Sequence, residues 1–281
     1  MVNRLYTEGT VRLNIFVSQF PSHKRLTQAD LKTYRQKVSD GWEVSTTLEG
    51  EKIAFRILVS FEFPFKPPRI AIYPGRPVLS WPHLEEEGIL CLLADSSPCP
   101  IDHIEAVARL LLTEAADLVS ACLRGDNFEE FEDEFQSYWI RWPLSTARYY
   151  SLCASNEDSR WVYTCSLPTY RLVADTRETV KKWLEDLGYT LWKFPIEAIP
   201  LIHIGRPLRP SEYPKTFGDL LFILRENHQA LETVERYVTS DFEKRKQFLL
   251  SFKGKGGIGF AGLLLPSIDE DMSNRRTPIT R

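Results

Sequence analysis

The sequence lacks the features that point to membrane, secreted or nucleic-acid-binding proteins. No uncharged apolar run approaches the ~20 residues that a membrane-spanning helix needs. The start, MVNRLYTEGTVRL, has no apolar core typical of a secretory signal. A formal net charge of −3 supplies no positive field for a polyanion, so we expect no nucleic-acid partner and no membrane partner. The five cysteines are few and odd in number, which favours reduced thiols and a cytoplasmic location.

What the sequence contains is ordinary globular material. Its 281 residues are about two domains' worth at ~150 residues per domain. A hydrophobic fraction of 43% and a charged fraction of 26% argue against disorder and fibres. We predict an α+β fold with a first domain at residues 1–145, a second, small α+β domain at 150–270, and a polar, disordered tail at 271–281.

The first domain shows both helical and strand periodicity. TVRLNIFV at 10–17 is predicted as a strand. A helix is predicted from its capping residue Thr27, with Asp30 three residues on and with Leu31, Tyr34 and Val38 on one face. Alternation from Trp42 to Thr46, a turn at 48–51 and strict alternation from Ile53 to Phe61 are followed by the strand RIAIY at 69–73, and together they predict an antiparallel meander. After a proline-rich stretch, a helix capped by Asp102 is predicted, with this apolar stripe: Ile104, Val107, Leu111, Leu118 and Cys122.

The second half alternates between the two periods. Strands are predicted at 161–165, 189–194, 200–204, 247–253 and 258–265. Helices are predicted at 176–187, 217–226 and 228–238.

Cys91 is the candidate reactive group. It lies in an irregular segment, after Gly88 and a few residues before the predicted helix, and loops on a rigid scaffold often carry reactive groups. Attack requires a thiolate, and His83, His103 or the start of the helix can lower a thiol pKa. A buried structural cysteine is the alternative that these residues leave open, since free cysteine is usually buried.

The ordered motifs around Cys91 resemble the core of ubiquitin-conjugating (UBC-like) enzymes. Phe63-Pro64-Phe65-Lys66-Pro67-Pro68 is similar to the family's Tyr-Pro-Phe-x-Pro-Pro element, and Trp81-Pro82-His83 stands at its His-Pro-Asn position. Gly88-Ile89-Leu90-Cys91-Leu92 is similar to the nucleophile loop, at the family's spacing of eight from His83 to Cys91. The resemblance covers residues 27 to about 140 and implies an antiparallel β-meander flanked by helices.

The resemblance implies an acyl transferase without cofactor or metal ion. Cys91 accepts a protein C-terminus as a thioester from an activating, adenylating enzyme or domain, and a target lysine then attacks it. His83 replaces the family's asparagine; its imidazole can donate to the oxyanion and also move a proton, or it is a purely structural loop histidine. Asp95 can desolvate or deprotonate the amine, or is a solvated loop acid. Lys32, Arg35 and Lys37 occupy the place where the family docks its activating enzyme, or form a solvated helix face.

The histidine at the asparagine position, with a second α+β unit behind it, resembles a bacterial branch of the family. Its members are fusion proteins of cyclic-oligonucleotide antiphage signalling (CBASS) operons, in which a linker domain and an adenylating domain follow. The resemblance implies that the modifier is a ubiquitin-like protein or the C-terminus of a cGAS-like nucleotidyltransferase (CD-NTase). No adenylating domain is present in this sequence, so we expect a separate activating enzyme or a truncated fusion. The alternative is a non-catalytic UBC-like binding module that holds an activating enzyme or a ubiquitin-like partner.

Three further motifs have less specific interpretations. His83, Cys91, Cys99 and His103 include two histidines and two cysteines, but only Cys99 and His103 have the close spacing of a zinc pair, so we predict no metal site. Gly254 to Gly259 matches GxGxxG, although no helix or βαβ pattern follows, which favours a glycine-rich hairpin. The acidic stretch 129–134 interleaves with phenylalanines and is predicted as an amphipathic helix rather than a metal site.

Overall fold

The computed structural model describes residues 2–35, 37–93, 101–144, 148–239 and 246–266. Asp95, Cys99 and the predicted tail 271–281 lie outside these residues. The chain divides into two compact units, Met1–Glu129 and Glu130–Arg281. None of the helices within the described ranges is long and apolar enough to cross a bilayer.

The first unit contains a four-stranded antiparallel sheet and helices. In chain order its elements are α1 (Val2–Val17), β1 (His23–Arg25), α2 (Gln28–Leu31), β2 (Val38–Leu48), β3 (Glu51–Ser60), β4 (Arg69–Tyr73) and α3 (Ile104–Arg124). Short 3-10 turns at Glu86–Gly88 and Ile101–His103 separate β4 from α3. The strands lie in the order β1-β2-β3-β4, so the predicted meander is confirmed. Its core contains Trp42, Ile57 and Ile70 together with the α3 residues Ile104, Leu111 and Val119.

The predicted strand at 10–17 is wrong, because these residues end helix α1. Leu13, Phe16 and Val17 are fully buried, and their spacing of three and four places them on one helical face. Val11 and Ile15, which completed the apparent alternation, are more than half exposed. The apolar residues of this segment contain both a strand-like alternation and a helical spacing. Packing of Leu13, Phe16 and Val17 against the core selects the helix.

The predicted helix from Thr27 is much shorter than expected. The reciprocal cap between Thr27 and Asp30 is present, but α2 ends at Leu31. Val38 instead pairs with Ser60 at the start of β2, so the sheet takes up the residues that would have extended the helix. Lys32, Arg35 and Lys37 therefore do not share a helix face, which corrects that part of the docking prediction.

Helix α3 is confirmed, whereas its predicted cap is wrong. The helix starts at Ile104, its capping position is His103, and no side chain donates or accepts there. Its buried residues are Ile104, Ala108, Leu111, Ala115, Val119 and Cys122, at helical spacing. It ends at Gly125, whose left-handed φ of 79° is typical of a helix C-terminus.

The second unit consists of a six-stranded mixed sheet and five helices among its described residues. The elements are α4 (Glu130–Asp133), α5 (Phe135–Trp139), β5 (Tyr149–Leu152), β6 (Arg160–Ser166), β7 (Arg171–Ala174), α6 (Arg177–Asp186), β8 (Ile196–His203), α7 (Phe217–Ile223), α8 (His228–Thr239), β9 (Lys246–Gly254) and β10 (Gly257–Leu265). The strand order is β10-β9-β8-β6-β7-β5, with parallel pairing of β8 with β9 and of β5 with β7.

Most predicted elements of the second half are confirmed. The exception is 189–194, where a 3-10 turn at Leu191–Lys193 replaces the strand, and β5 and β7 escaped prediction. Gly254 pairs with Gly257 across the β9–β10 turn, which confirms the glycine-rich hairpin. The acidic stretch forms two short helices that bury Phe131 and Phe135, as the amphipathic interpretation required.

The division between the units falls before the sequence-based boundary at 145. Phe135 contacts the rings of Tyr213 and Phe252, and Trp139 contacts Tyr213. Residues 130–144 accordingly pack with the second unit. That 1–145 and 150–270 are domains that fold independently stays a prediction.

Candidate active site

Cys91 lies at the end of a tight hairpin formed by residues 83–91. The Cys91 N–H donates to the His83 carbonyl at 2.8 Å, and the Glu85 N–H donates to the Ile89 carbonyl at the same distance. Leu84 and Leu90 form an antiparallel bridge between these two bonds. The main chain thus joins the two residues that the sequence singled out, His83 and Cys91.

The hairpin is attached to the edge of the sheet at β4. The Leu90 N–H donates to the Ile70 carbonyl at 2.8 Å, and Ile89 forms an antiparallel bridge with Ala71. Leu90 is buried in the main core, and Ile89 is buried in a second cluster that includes Leu31. Both residues that precede the cysteine are therefore fixed, whereas Cys91 itself is exposed.

Three residues of the hairpin have left-handed backbone conformations. Their φ angles are 54° at His83, 63° at Glu87 and 80° at Gly88. A Cβ atom on Gly88 would lie 2.6 Å from the carbonyl oxygen of Ile72, so only glycine fits. Non-glycine residues in this region cost free energy and often cluster at functional sites.

Three consecutive carboxylates before Gly88 hold the turn from two sides. Glu85 accepts from Arg69 at 2.8 Å, and Glu86 accepts from the Arg35 guanidinium at 2.7 Å. The Glu87 carboxylate accepts from the main-chain N–H of Arg35 at 2.8 Å. The segment Leu31–Arg35, which runs from the end of α2 toward β2, is thereby joined to the cysteine hairpin by hydrogen bonds.

Sequence analysis missed these carboxylates. The signal was the run Glu85-Glu86-Glu87, which lies directly before Gly88 and a few residues before Cys91. Their arginine partners lie 16 and 51 residues away in sequence, so no local pattern connects them.

Buried charges lie on the sheet face that Leu31 and Tyr34 cover. The Arg56 side chain, only 3% exposed, donates to Glu43 at 2.9 Å and lies 3.6 Å from the ring centre of Tyr73. Tyr34 is buried beside Arg56, and this burial raises the pKa of the phenol. The charges are paired, as buried charges must be.

The structure gives fewer contacts between Cys91 and the other predicted site residues. Asp95 lies outside the described residues, and so does Cys99 of the zinc alternative. Lys32 and Lys37 are exposed, whereas Arg35 reaches the cysteine hairpin through Glu86 and Glu87. Within the part of the chain that the structure describes, no three histidine, cysteine or acidic residues form a metal-binding cluster.

The proline-rich element flanks the same edge of the sheet. Phe63 is buried and contacts Tyr6 edge-on, while Phe65 is 53% exposed. A notch of about 70 Å³ is lined by Lys66 and Arg69 and by a larger apolar set: Pro67, Pro68, Ile70, Leu90, Leu92, Leu93 and Leu111. Apolar surface is therefore present next to the residue that follows the cysteine.

The described cysteines other than Cys91 are poor nucleophiles. Cys122 and Cys165 are buried. Burial raises the pKa of the Cys153 thiol to about 11, so it remains protonated near neutral pH. The exposed cysteine in this set is Cys91.

Comparison with known proteins agrees with the geometry. Residues 12–145 match the family model described as prokaryotic E2 family B, where E2 denotes a ubiquitin-conjugating enzyme. The match contains the meander, the proline-rich element and the whole cysteine hairpin, and it supports an E2-like family and a conjugating-enzyme-like function. No curated protein and no solved structure gave a significant match to the chain.

Proposed function

From the E2-like match of residues 12–145, we propose that the protein is an acyl transferase that carries a protein C-terminus as a thioester on Cys91. The single observation that carries this proposal is the exposed Cys91 at the end of a hairpin whose neighbouring residues are buried and hydrogen-bonded. Such a scaffold presents the sulfur at a fixed position while leaving it open to two large partners.

In the first step, the Cys91 thiolate attacks the carbonyl carbon of a thioester on an activating enzyme. A new carbon–sulfur bond forms to Cys91, the old one breaks, and the activating enzyme leaves as a thiolate. The exchange needs no redox partner, because one thioester replaces another. The apolar notch beside Leu92 offers a surface for the residues that precede the modifier's C-terminus.

In the second step, a target amine, usually of a lysine, attacks the same carbonyl carbon. The carbon–nitrogen bond forms, the Cys91 thiolate leaves, and the amine proton passes to a base or to water. The site must align the amine, stabilise the oxyanion and accept this proton. We assign oxyanion stabilisation to the imidazole of His83, and to Asp95 the desolvation or deprotonation of the incoming amine, in line with the family resemblance.

The partners follow from the same mechanism. They are an activating, adenylating enzyme, a modifier that is a ubiquitin-like protein or the C-terminus of a cGAS-like nucleotidyltransferase, and target lysines. The second of these modifiers would place the protein in bacterial antiphage defence of the CBASS type. Lys32, Arg35 and Lys37 are the proposed docking residues for the activating enzyme, now as exposed side chains of an irregular segment.

The test uses the full chain with an activating enzyme, ATP and a candidate modifier, and measures intact mass with and without dithiothreitol. We expect a dithiothreitol-sensitive adduct on the native protein, a dithiothreitol-resistant ester on Cys91→Ser, and no adduct on Cys91→Ala. Cys153→Ala is the matched control and should behave as the native protein does.

Two results would contradict the proposal. Normal conjugation by Cys91→Ala would place the chemistry elsewhere. Binding of the activating enzyme or modifier without any adduct on the native protein would favour the non-catalytic binding module.

A further inference from the structure

The segment between α2 and β2 contacts the cysteine hairpin at its most constrained point. Glu87 and Gly88 are consecutive left-handed residues, and the backbone then leads through Ile89 and Leu90 to Cys91. The shortest contact of the Glu87 carboxylate is with the main-chain N–H of Arg35, at 2.8 Å, whereas the Arg35 guanidinium Nε lies farther away, at 3.8 Å. A bond to the main chain fixes position better than a bond to a flexible side chain does.

Burial shows which of the acidic contacts carries this constraint. The Glu87 side chain is 17% exposed, whereas the side chains of Glu86 and Arg35 are 65% and 82% exposed. An ion pair as open as Arg35–Glu86 contributes little in water. A hydrogen bond from a main-chain N–H to the oxygen of a mostly buried side chain contributes more.

The hydrophobic contacts on the same side reinforce the constraint. Ile89 is 2% exposed and packs in one cluster with Leu31 and Tyr34, directly before Arg35. On the opposite side of the turn, Arg69 binds Glu85 at 2.8 Å. The hairpin is therefore held between β4 and the Leu31–Arg35 segment.

We propose that Glu87 is a positioning residue for Cys91: its carboxylate, bound to the Arg35 N–H, locks the left-handed turn that sets the place of the sulfur. The effect on transfer rate rests on the proposed acyl transfer, whereas the hydrogen bond that locks the turn is a property of the fold. Misplacement of a reacting group by about 1 Å costs up to 100-fold in rate. Loss of the lock should therefore slow transfer without weakening the binding of the partners.

Three variants distinguish the contribution of the Glu87 acceptor oxygen from that of its charge and from that of the exposed Arg35–Glu86 ion pair. Glu87→Ala removes the acceptor for the Arg35 N–H. Glu87→Gln keeps a side-chain oxygen in the same place without the charge, and is the conservative rescue. Arg35→Ala retains the main-chain N–H, and so retains the lock, while removing the contacts of the guanidinium with Glu86 and, at 3.8 Å, with Glu87.

The first measurement is amide hydrogen exchange of the peptide that covers Leu90 and Cys91, whose N–H groups bond to Ile70 and His83. In Glu87→Ala we expect exchange about 10-fold faster there, the equivalent of one lost hydrogen bond. Glu87→Gln and Arg35→Ala should stay within about twofold of the native protein, and exchange in β9, which belongs to the second unit, should be unchanged in all three. Native protection of this peptide in Glu87→Ala would overturn the proposal.

The second measurement is single-turnover discharge of the Cys91 thioester to a range of amine concentrations. Glu87→Ala should lower the maximal rate about 10-fold and leave the half-saturating amine concentration unchanged, with the rate restored in Glu87→Gln. An unchanged maximal rate in a variant whose hairpin amides exchange faster would overturn the positioning role. If the native protein forms no thioester, the proposed function fails, and hydrogen exchange still decides whether the lock exists.

Discussion

Replacement of Gly88 by alanine tests the local geometry on which the candidate site depends. Gly88 has a φ of 80°, and a Cβ atom there would lie 2.6 Å from the Ile72 carbonyl oxygen and 3.5 Å from the Ile72 Cγ1 atom. The carbonyl oxygen belongs to β4, so it cannot move away as the end of a flexible side chain can. The turn or the edge strand must shift instead.

The expected loss in free energy of unfolding in Gly88→Ala is the sum of two contributions. The left-handed conformation costs alanine about 1 kcal/mol more than glycine. Forcing a methyl group against fixed backbone adds about 2 kcal/mol, as in other overpacked sites. We therefore expect Gly88→Ala to lower the free energy of unfolding of the first unit by about 3 kcal/mol.

Gly50 provides the matched control. It has a φ of 83° in the β2–β3 turn, and a Cβ atom there would meet nothing within 4 Å. Gly50→Ala should therefore cost about 1 kcal/mol, the conformational contribution alone.

The assay is native-state hydrogen exchange of the slowest β3 amides, which reports the unfolding of the first unit by itself. In Gly88→Ala the hairpin displacement should also slow thioester discharge, whereas Gly50→Ala should discharge at the native rate. Equal losses of stability in Gly88→Ala and Gly50→Ala would refute the steric reasoning.

Two further predictions concern the packing of each unit. Arg56→Ala should cost the first unit about 3 kcal/mol in chemical denaturation, because it removes the buried ion pair of the Glu43 carboxylate, which is 9% exposed and then retains its contact with Lys24. Arg12→Ala, in an exposed pair with Glu8, should stay within about 0.5 kcal/mol, and equal effects of the two substitutions would contradict the buried pair. Gly259→Ala should destabilise the second unit by about 2 kcal/mol, since its Cβ would lie 2.6 Å from the Phe252 Cζ atom, and Gly256→Ala, with nothing within 4 Å, is the control in the same thermal unfolding measurement.

The fold of the first unit was predictable wherever local periodicity had a single solution. The strict alternation of Ile53, Phe55, Ile57 and Val59 predicts a strand, and the structure buries all four residues. The stripe from Ile104 to Cys122 allows only a helix with one apolar face. At 10–17 the apolar residues fit both periods, and only their packing in the core selects the helix.

The second unit shows the same distinction at its sheet edges. β9 and β10 are nine residues each, joined by a glycine-rich turn, and both were predictable. β5 and β7 have four residues each. β5 pairs in parallel with β7, so the contacts that make β5 a strand come from residues distant in sequence, whereas β7 also pairs antiparallel with the neighbouring β6. Four residues contain too few periods to separate a strand from a loop.

By itself, the sequence determined the presence of Cys91 in a glycine-preceded loop, its spacing of eight from His83, and the meander that carries the loop, because these properties depend only on neighbouring residues. The tertiary structure decided that Arg35 contacts Glu86 and Glu87, that Leu90 donates to Ile70, and that the sulfur is exposed while Ile89 is buried. These contacts join segments up to 52 residues apart. Their formation depends on the packing of the whole unit, which no local pattern encodes.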